Sequence, residues 1–269
     1  MTRGRIGAQR TYESIPWSWR DKCFLVVPPT EHNEHYTLGG DDDFGKRIPT
    51  IPVPYTVTNY SQKMQWILQD GMDDGEECCV ILDDDLVFSR QIIKDDGKVG
   101  LKTLTGSDTE ILLGPFALME NLLEDTALVG VHPRQMGHIQ KPPYNENGKV
   151  ICIQGCNRRL IGTIPDLTKY PILSDVVLNA TLLARGQGNK IITTIFQDWG
   201  SCNAPGGCSL YRTPEMQAEA CYWLEERFGP YIKAVEKESK DGWLGGKRVD
   251  FRGQWKALYK AGAAGLLDI

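Results

Sequence analysis

Long apolar runs are missing: none in the chain approaches the ~18 residues that a membrane-crossing helix needs. A dominant charge is missing too. Lys plus Arg is 30 and Asp plus Glu is 35, a net charge of −5 over 269 residues, which excludes a histone-like polycation. With 41% hydrophobic and 24% charged residues, the chain is neither disordered nor collagen-like. Arg3 and Arg5 are not followed by an apolar stretch, so no secretory signal is expected. Histidine is scarce. His32 and His35 lie in a polar stretch, and only His132, after the apolar run Ala127 to Val131, sits where a strand would end. No GxSxG, P-loop or GxGxxG element stands between a strand and a helix.

The eight cysteines do not form a disulfide scaffold, which belongs to short secreted chains. Reduced thiols in a cytoplasm are expected, with Cys78-Cys79 buried in their apolar run. Cys152/Cys156 and Cys202/Cys208 are the only spacings that suggest zinc, and neither is a CxxC.

Strand-like runs recur at Cys23 to Val27, Cys78 to Leu82, Ala127 to Val131, Val150 to Ile153 and Ile191 to Phe196. They lack polar alternation, as strands covered on both faces do. Between them lie helical patterns. Ser61 to Gln69 has Ser61 as a candidate cap. Glu110 to Leu123 is broken by Gly114-Pro115. A helix from Ser174 has Ser174 as its cap and Gly186 as its end. Another follows Thr213 with Pro214 at its first position and Gly229-Pro230 as its stop. This interleaving predicts an α/β domain, with a mostly parallel central sheet flanked by helices and a C-terminal extension.

The mild net charge conceals an asymmetry. Residues 1–10 carry +3 and residues 237–260 carry +4, which leaves −12 for the rest. Basic ends around an acidic middle fit phosphate-facing termini, or ordinary fluctuation of surface charge.

Of the acidic runs, Asp41 to Asp43, Asp73-Asp74, Asp83 to Asp85 and Asp95-Asp96, only Asp83-Asp84-Asp85 follows directly on a strand pattern. It is delivered at the strand's C-terminal end, where open α/β sheets place ligands. Carboxylates crowded there raise one another's pKa, and a divalent cation relieves the repulsion. Hard oxygen ligands suit Mg²⁺ or Mn²⁺, which keep positions open for phosphate oxygens. The other acidic runs read as solvated loops. Arg3 and Arg5, with Gly4 between them, suit bidentate phosphate contact. Lys63 adds charge, and Trp66 reads equally as a stacking surface or as core. Asp175, in the first turn of its helix, reads equally as a partner of the helix dipole or as a general base. Residues 199–212 form a loop rich in small residues, in which Trp199, Tyr211 and Arg212 either line an acceptor site or pack on the body.

The set of TRGR, then QRT, a strand ending in ILDDDL, and an SD opening a helix that ends in LLARG resembles the GT-A class of nucleotide-sugar glycosyltransferases. DVVLNATLLARGQGNKI, the APGGCSLYRT loop and a final QWK look like the TET-associated glycosyltransferases of phages. The resemblance implies a single GT-A-like (Rossmann-like) domain over 1–269, with a nucleotide-sugar and metal half (1–130) and an acceptor half (131–269). It implies a UDP-linked sugar donor, UDP-glucose foremost, and Mn²⁺ or Mg²⁺ on Asp83 and Asp85. Thr2, Arg3, Arg5, Lys63, Asp83 and Asp84 would hold the donor. Asp175 would be the base, with Ser174-Asp175 here where many relatives have Glu-Asp, so inversion and retention both stay open. Trp199, Gly206, Gly207 and Arg212 would face the acceptor. That acceptor would be hydroxymethylated DNA, typically 5-hydroxymethylcytosine, in the cytoplasm of a phage host. A glycan or protein acceptor is the alternative.

Overall fold

The computed structural model describes residues 9–32, 48–70, 75–199, 207–238 and 246–267. Two short helices, α1 (Arg10–Ser14) and α2 (Trp17–Arg20), precede β1 (Leu25–Val27), which pairs in parallel with β2 (Thr50–Pro52). Helix α3 (Tyr60–Gln69) leads to β3 (Cys78–Leu82). Strands β4 (Val87–Ile93) and β5 (Val99–Thr103) form a hairpin. Then come α4 (Leu113–Leu123), β6 (Leu128–Pro133), β7 (Tyr144–Glu146) and β8 (Ile153–Asn157). The short α5 (Arg158–Ile161), α6 (Ser174–Ala184) and β9 (Asn189–Asp198) follow. The C-terminal part holds α7 (Pro214–Phe228), the hairpin of β10 (Ile232–Glu238) with β11 (Lys247–Gly253), and α8 (Trp255–Ala263).

The central sheet has the order β3-β8-β6-β9-β4-β5, with β7 on the first half of β9. The fold is α/β, but the sheet is mixed, not mostly parallel: among the described residues only β6 and β9 pair in parallel within it. Parallel neighbours need a crossover of a dozen or more residues; five residues separate β4 from β5, so these two pair antiparallel. The β4–β5 turn is built on Asp96-Gly97. Gly97 takes φ +76°, and the Lys94 and Lys98 backbones close the turn at 2.9 Å.

Side chains alternate between two cores, one on each face of the sheet. Leu128 and Ile191 join Met64, Leu68, Leu178, Leu182, Leu224 and Leu258 from α3, α6, α7 and α8. Val129, Val131 and Ile192 join Phe88, Phe116 and Met119 around α4. Cys78 is exposed and Cys79 half-buried, not buried as expected, because β3 is an edge strand. No helix among the described residues is long and apolar enough to cross a membrane.

Helix boundaries follow local chemistry. Asn59, not Ser61, caps α3 by accepting from the Gln62 N–H at 3.0 Å, and Ser61 is buried. Ser174 is the first residue of α6, not its cap. Leu173 precedes it in the left-handed region (φ 63°, ψ 19°). At the other end Gly186 takes φ +75° and accepts the chain reversal: its N–H bonds Leu183 and the Gln187 N–H bonds Leu182. Gly114-Pro115 does not interrupt the helix. Pro115 falls in the first turn of α4, where no intrahelical N–H bond is required. Thr213 caps α7 by accepting from Met216 at 3.2 Å, with Pro214 at its first position.

Candidate functional site

Strand β3 delivers Asp83 at its C-terminal end, and the Asp83 N–H donates to the Cys152 carbonyl at 3.0 Å. This continues the β3–β8 ladder one pair beyond Leu82↔Ile153. Cys152 itself takes φ 62°, and the Ile153 N–H reaches back to the Ile151 carbonyl at 2.6 Å. That is a γ-turn centred on a non-glycine residue, a strained arrangement. The acidic turn is held from below by α1. Thr11 Oγ1 donates to the Asp83 carbonyl at 2.5 Å and accepts from the Leu86 N–H at 2.9 Å. The Thr11 N–H donates to the Asp84 carbonyl at 3.2 Å. Of the three carboxyls, Asp84 is turned inward at 6% exposure, while Asp83 and Asp85 are half-buried.

Asp175 comes to the same place from α6. Its Oδ1 accepts from the Val176 N–H at 2.9 Å. Burial pushes the Asp83 carboxyl up to about 7, and the charges of Asp175, Asp85 and Asp84 add to the shift. Burial also raises Asp175, against the pull of the Val176 N–H, Lys149 and Arg212. The Cys152 thiol is hydrogen-bonded to Asp83; burial lifts it well above the usual thiol range, and the charges of Asp83 and Asp175 add to this. The Tyr60 phenol is likewise held protonated by burial, then by Asp83 and Asp175.

The segment 207–212 closes one side. The Tyr211 hydroxyl accepts from the Tyr60 N–H at 2.9 Å and donates to the Pro171 carbonyl at 3.2 Å. It thus ties this segment to the start of α3 and to the approach to α6. Gly207 opens a short 3-10 turn with φ +60°. The Arg212 Nε is buried with no hydrogen-bond partner among the described residues. Its charge acts on Asp175 and on Cys208, whose thiol is raised by burial. Trp199 packs against both cores.

Comparison with family models, with curated proteins and with solved structures gives no match. The chemistry of the site therefore rests on its own residues. Asp83, Asp84, Asp85, Asp175 and Arg212 are brought together. Lys63 is not aimed outward: it is buried, with Nζ bonded to the Val26 carbonyl of β1 at 3.4 Å. Trp66 packs against the core, as one of its two readings had it. His132 bonds its own strand at Pro133 (2.6 Å) and stands edge-on to Phe196. His32 contacts Thr50 at 3.0 Å. Thr2, Arg3, Arg5, His35, Asp41 to Asp43, Asp73-Asp74, Cys202 and Gly206 lie outside the described residues. Cys152 and Cys156 do not share a ligand position, since Cys152 bonds Asp83 and Cys156 bonds Cys79.

Tyr60 and Lys149 carried no sequence signal, and Cys152 carried only its spacing to Cys156. Thr11 stood in the QRT triplet without an assigned role. No group of three or more His, Cys, Asp or Glu among the described residues is disposed to hold a metal. Mg²⁺ and Mn²⁺ do not require one, because they are commonly held by one or two carboxylates together with substrate phosphates and water. Asp83 and Asp85 fit that smaller donor set, since both are oxygen donors, only half-buried, at the mouth of the acidic turn.

Proposed function

We propose that the chain is a GT-A-like, metal-dependent glycosyltransferase. In this reading it moves a sugar, glucose from UDP-glucose, onto the hydroxymethyl group of 5-hydroxymethylcytosine in DNA. One observation carries the proposal: carboxyls from the end of β3 and the start of α6 converge, and one of them is pushed up to about 7. Such clusters mark sites that meet a cation or move a proton.

Asp83 and Asp85 would hold Mn²⁺ or Mg²⁺. When bound, the ion neutralises the departing diphosphate. Asp175 takes the proton from the acceptor hydroxyl. The Val176 N–H, Lys149 and Arg212 favour its ionised form, as a base requires, while burial strengthens its basicity. The Arg212 guanidinium has a donor to spare for an anionic substrate. Tyr60 and Cys152 keep their protons, so each can donate a hydrogen bond but neither can act as a base.

The test incubates the protein with Mn²⁺, hydroxymethylcytosine DNA and a panel of nucleotide sugars, then digests the DNA to nucleosides for mass analysis. A mass gain of one hexose on the modified nucleoside is expected. No gain with any donor would end the DNA-acceptor reading. UDP release that depends on added glycan would move the acceptor to a glycan.

A further inference from the structure

A second concave site lies away from the carboxylates, at the β4–β5 hairpin. Its volume is about 470 Å³, and its lining includes Lys94, Arg134, His138, Val99 and Leu101 but no carboxylate. We propose that this cavity binds the sugar–phosphate backbone of a nucleic-acid strand. The proposal deepens the DNA-acceptor reading and rests on it for its purpose, but not for its test.

The cations are set on a prearranged frame. Lys94 lies across Gly100, where an added side-chain carbon would run into the Lys94 stem, so the missing side chain lets the lysine arm lie along the edge strand. Arg134 opens a turn fixed on both sides. Its N–H bonds the Gln197 carbonyl at 2.7 Å, and Gln91 Nε2 donates to the Gly137 and Gln140 carbonyls at 2.8 and 2.9 Å. Asp198 is the acid beside Arg134, at 3.7 Å. A guanidinium has five N–H donors, so one long ion pair leaves donors for a phosphate.

Exposed apolar side chains adjoin the lining residues along the chain: Met136 (57% exposed), Ile139 (56%) and Ile93 (74%), with Val99 (40%) in the lining itself. A nucleic-acid strand presents anionic phosphates beside flat apolar base faces and can use both features. A run of acidic residues alone, such as polyglutamate, offers only the charge. Asp198, the partner of Arg134, stands opposite Val87 in the β4–β9 register. In a chain of net charge −5, a local cationic hollow gives a polyanion somewhere to approach.

The experiment is fluorescence anisotropy with a labelled, unmodified DNA oligonucleotide in a metal-free, donor-free buffer. Lys94→Ala with Arg134→Ala should weaken binding about tenfold near physiological salt and lower the log–log salt slope by about 2. Lys94→Glu, which leaves the Arg134–Asp198 pair intact, should weaken binding with an unchanged melting curve. Wild-type affinity and salt slope in both variants would overturn the proposal. So would polyglutamate competing as well as DNA, which would make this a protein-docking site. If the Lys94 and Arg134 variants lose binding but no sugar is ever transferred, the cavity proposal stands and the transferase reading falls. If sugar is transferred to DNA while binding is indifferent to both residues, the transferase reading stands and the cavity proposal falls.

Discussion

Asp83 to Asp85 and Asp95-Asp96 are alike in the sequence and opposite in the molecule. Each is an acidic run just after a strand, one following β3 and the other following β4. Asp96 sits in an exposed hairpin turn, where the Lys98 N–H (3.1 Å) and ammonium (3.1 Å) hold its carboxyl below the usual range. Asp83 is pushed up to about 7 by burial and by neighbouring carboxylates. Residue type is the same; what differs is whether nearby donors or burial dominates the carboxyl. A carboxylate held low by its own lysine belongs to a turn, and one pushed up by burial among other carboxylates is a place for a cation or a proton.

The widest separation between the two runs should appear in turnover. Asp85→Asn should lower sugar transfer by roughly 10²–10³-fold and abolish the thermal stabilisation given by Mn²⁺, while Asp96→Asn leaves both unchanged. Transfer rates with a saturating donor, together with melting curves with and without Mn²⁺, measure this. Equal activity in the two variants would erase the contrast.

The next difference is in pH dependence. Between about pH 4 and pH 7 the folded protein keeps the Asp83 proton that the unfolded chain has released. Its contribution therefore lowers stability as pH rises through that window. Asp83→Asn should therefore stabilise the chelator-treated protein at pH 8 and flatten its decline with rising pH. Asp96 has the reverse sign: its contribution is lost as pH falls through its lowered value. Denaturant titrations at pH 5 and pH 8 separate the two.

The smallest effect concerns the frame of the acidic turn. Thr11→Val removes a donor to Asp83 and leaves the buried Leu86 N–H without its acceptor, a cost of about 1–2 kcal/mol. Urea unfolding should show that loss, together with weaker Mn²⁺ binding. Loss of stability with Mn²⁺ affinity unchanged would mean that Thr11 supports the fold but not the geometry of the carboxyls.

These contrasts also show what a sequence can and cannot display. The β3 pattern, its acidic end and the Gly186 and Thr213 helix boundaries were legible because each is a local preference expressed locally. The mixed sheet was not, although Asp96-Gly97 between two β-rich runs was a readable hairpin signal. The serine caps expected for α3 and α6 do not form: Asn59 caps α3, and the left-handed Leu173 precedes α6 without a side-chain cap. Cys152 was out of reach altogether. A non-glycine residue in the left-handed region is held there by its surroundings, and no residue type announces it.

The far end of α6 has a bearing on Asp175 as well. At Gly262 of α8, a single methyl group would run into the carbonyl oxygens of Leu183 and Ala184. The 11 residues of α6 make a rod of about 16 Å, with the proposed base in one terminal turn and this contact in the other. A rod displaced at its heel moves at its tip. In the proposed mechanism position 262 would work as a set-screw on the Asp175 carboxyl: a substitution that never meets substrate would be read out as a change in where the proton is taken.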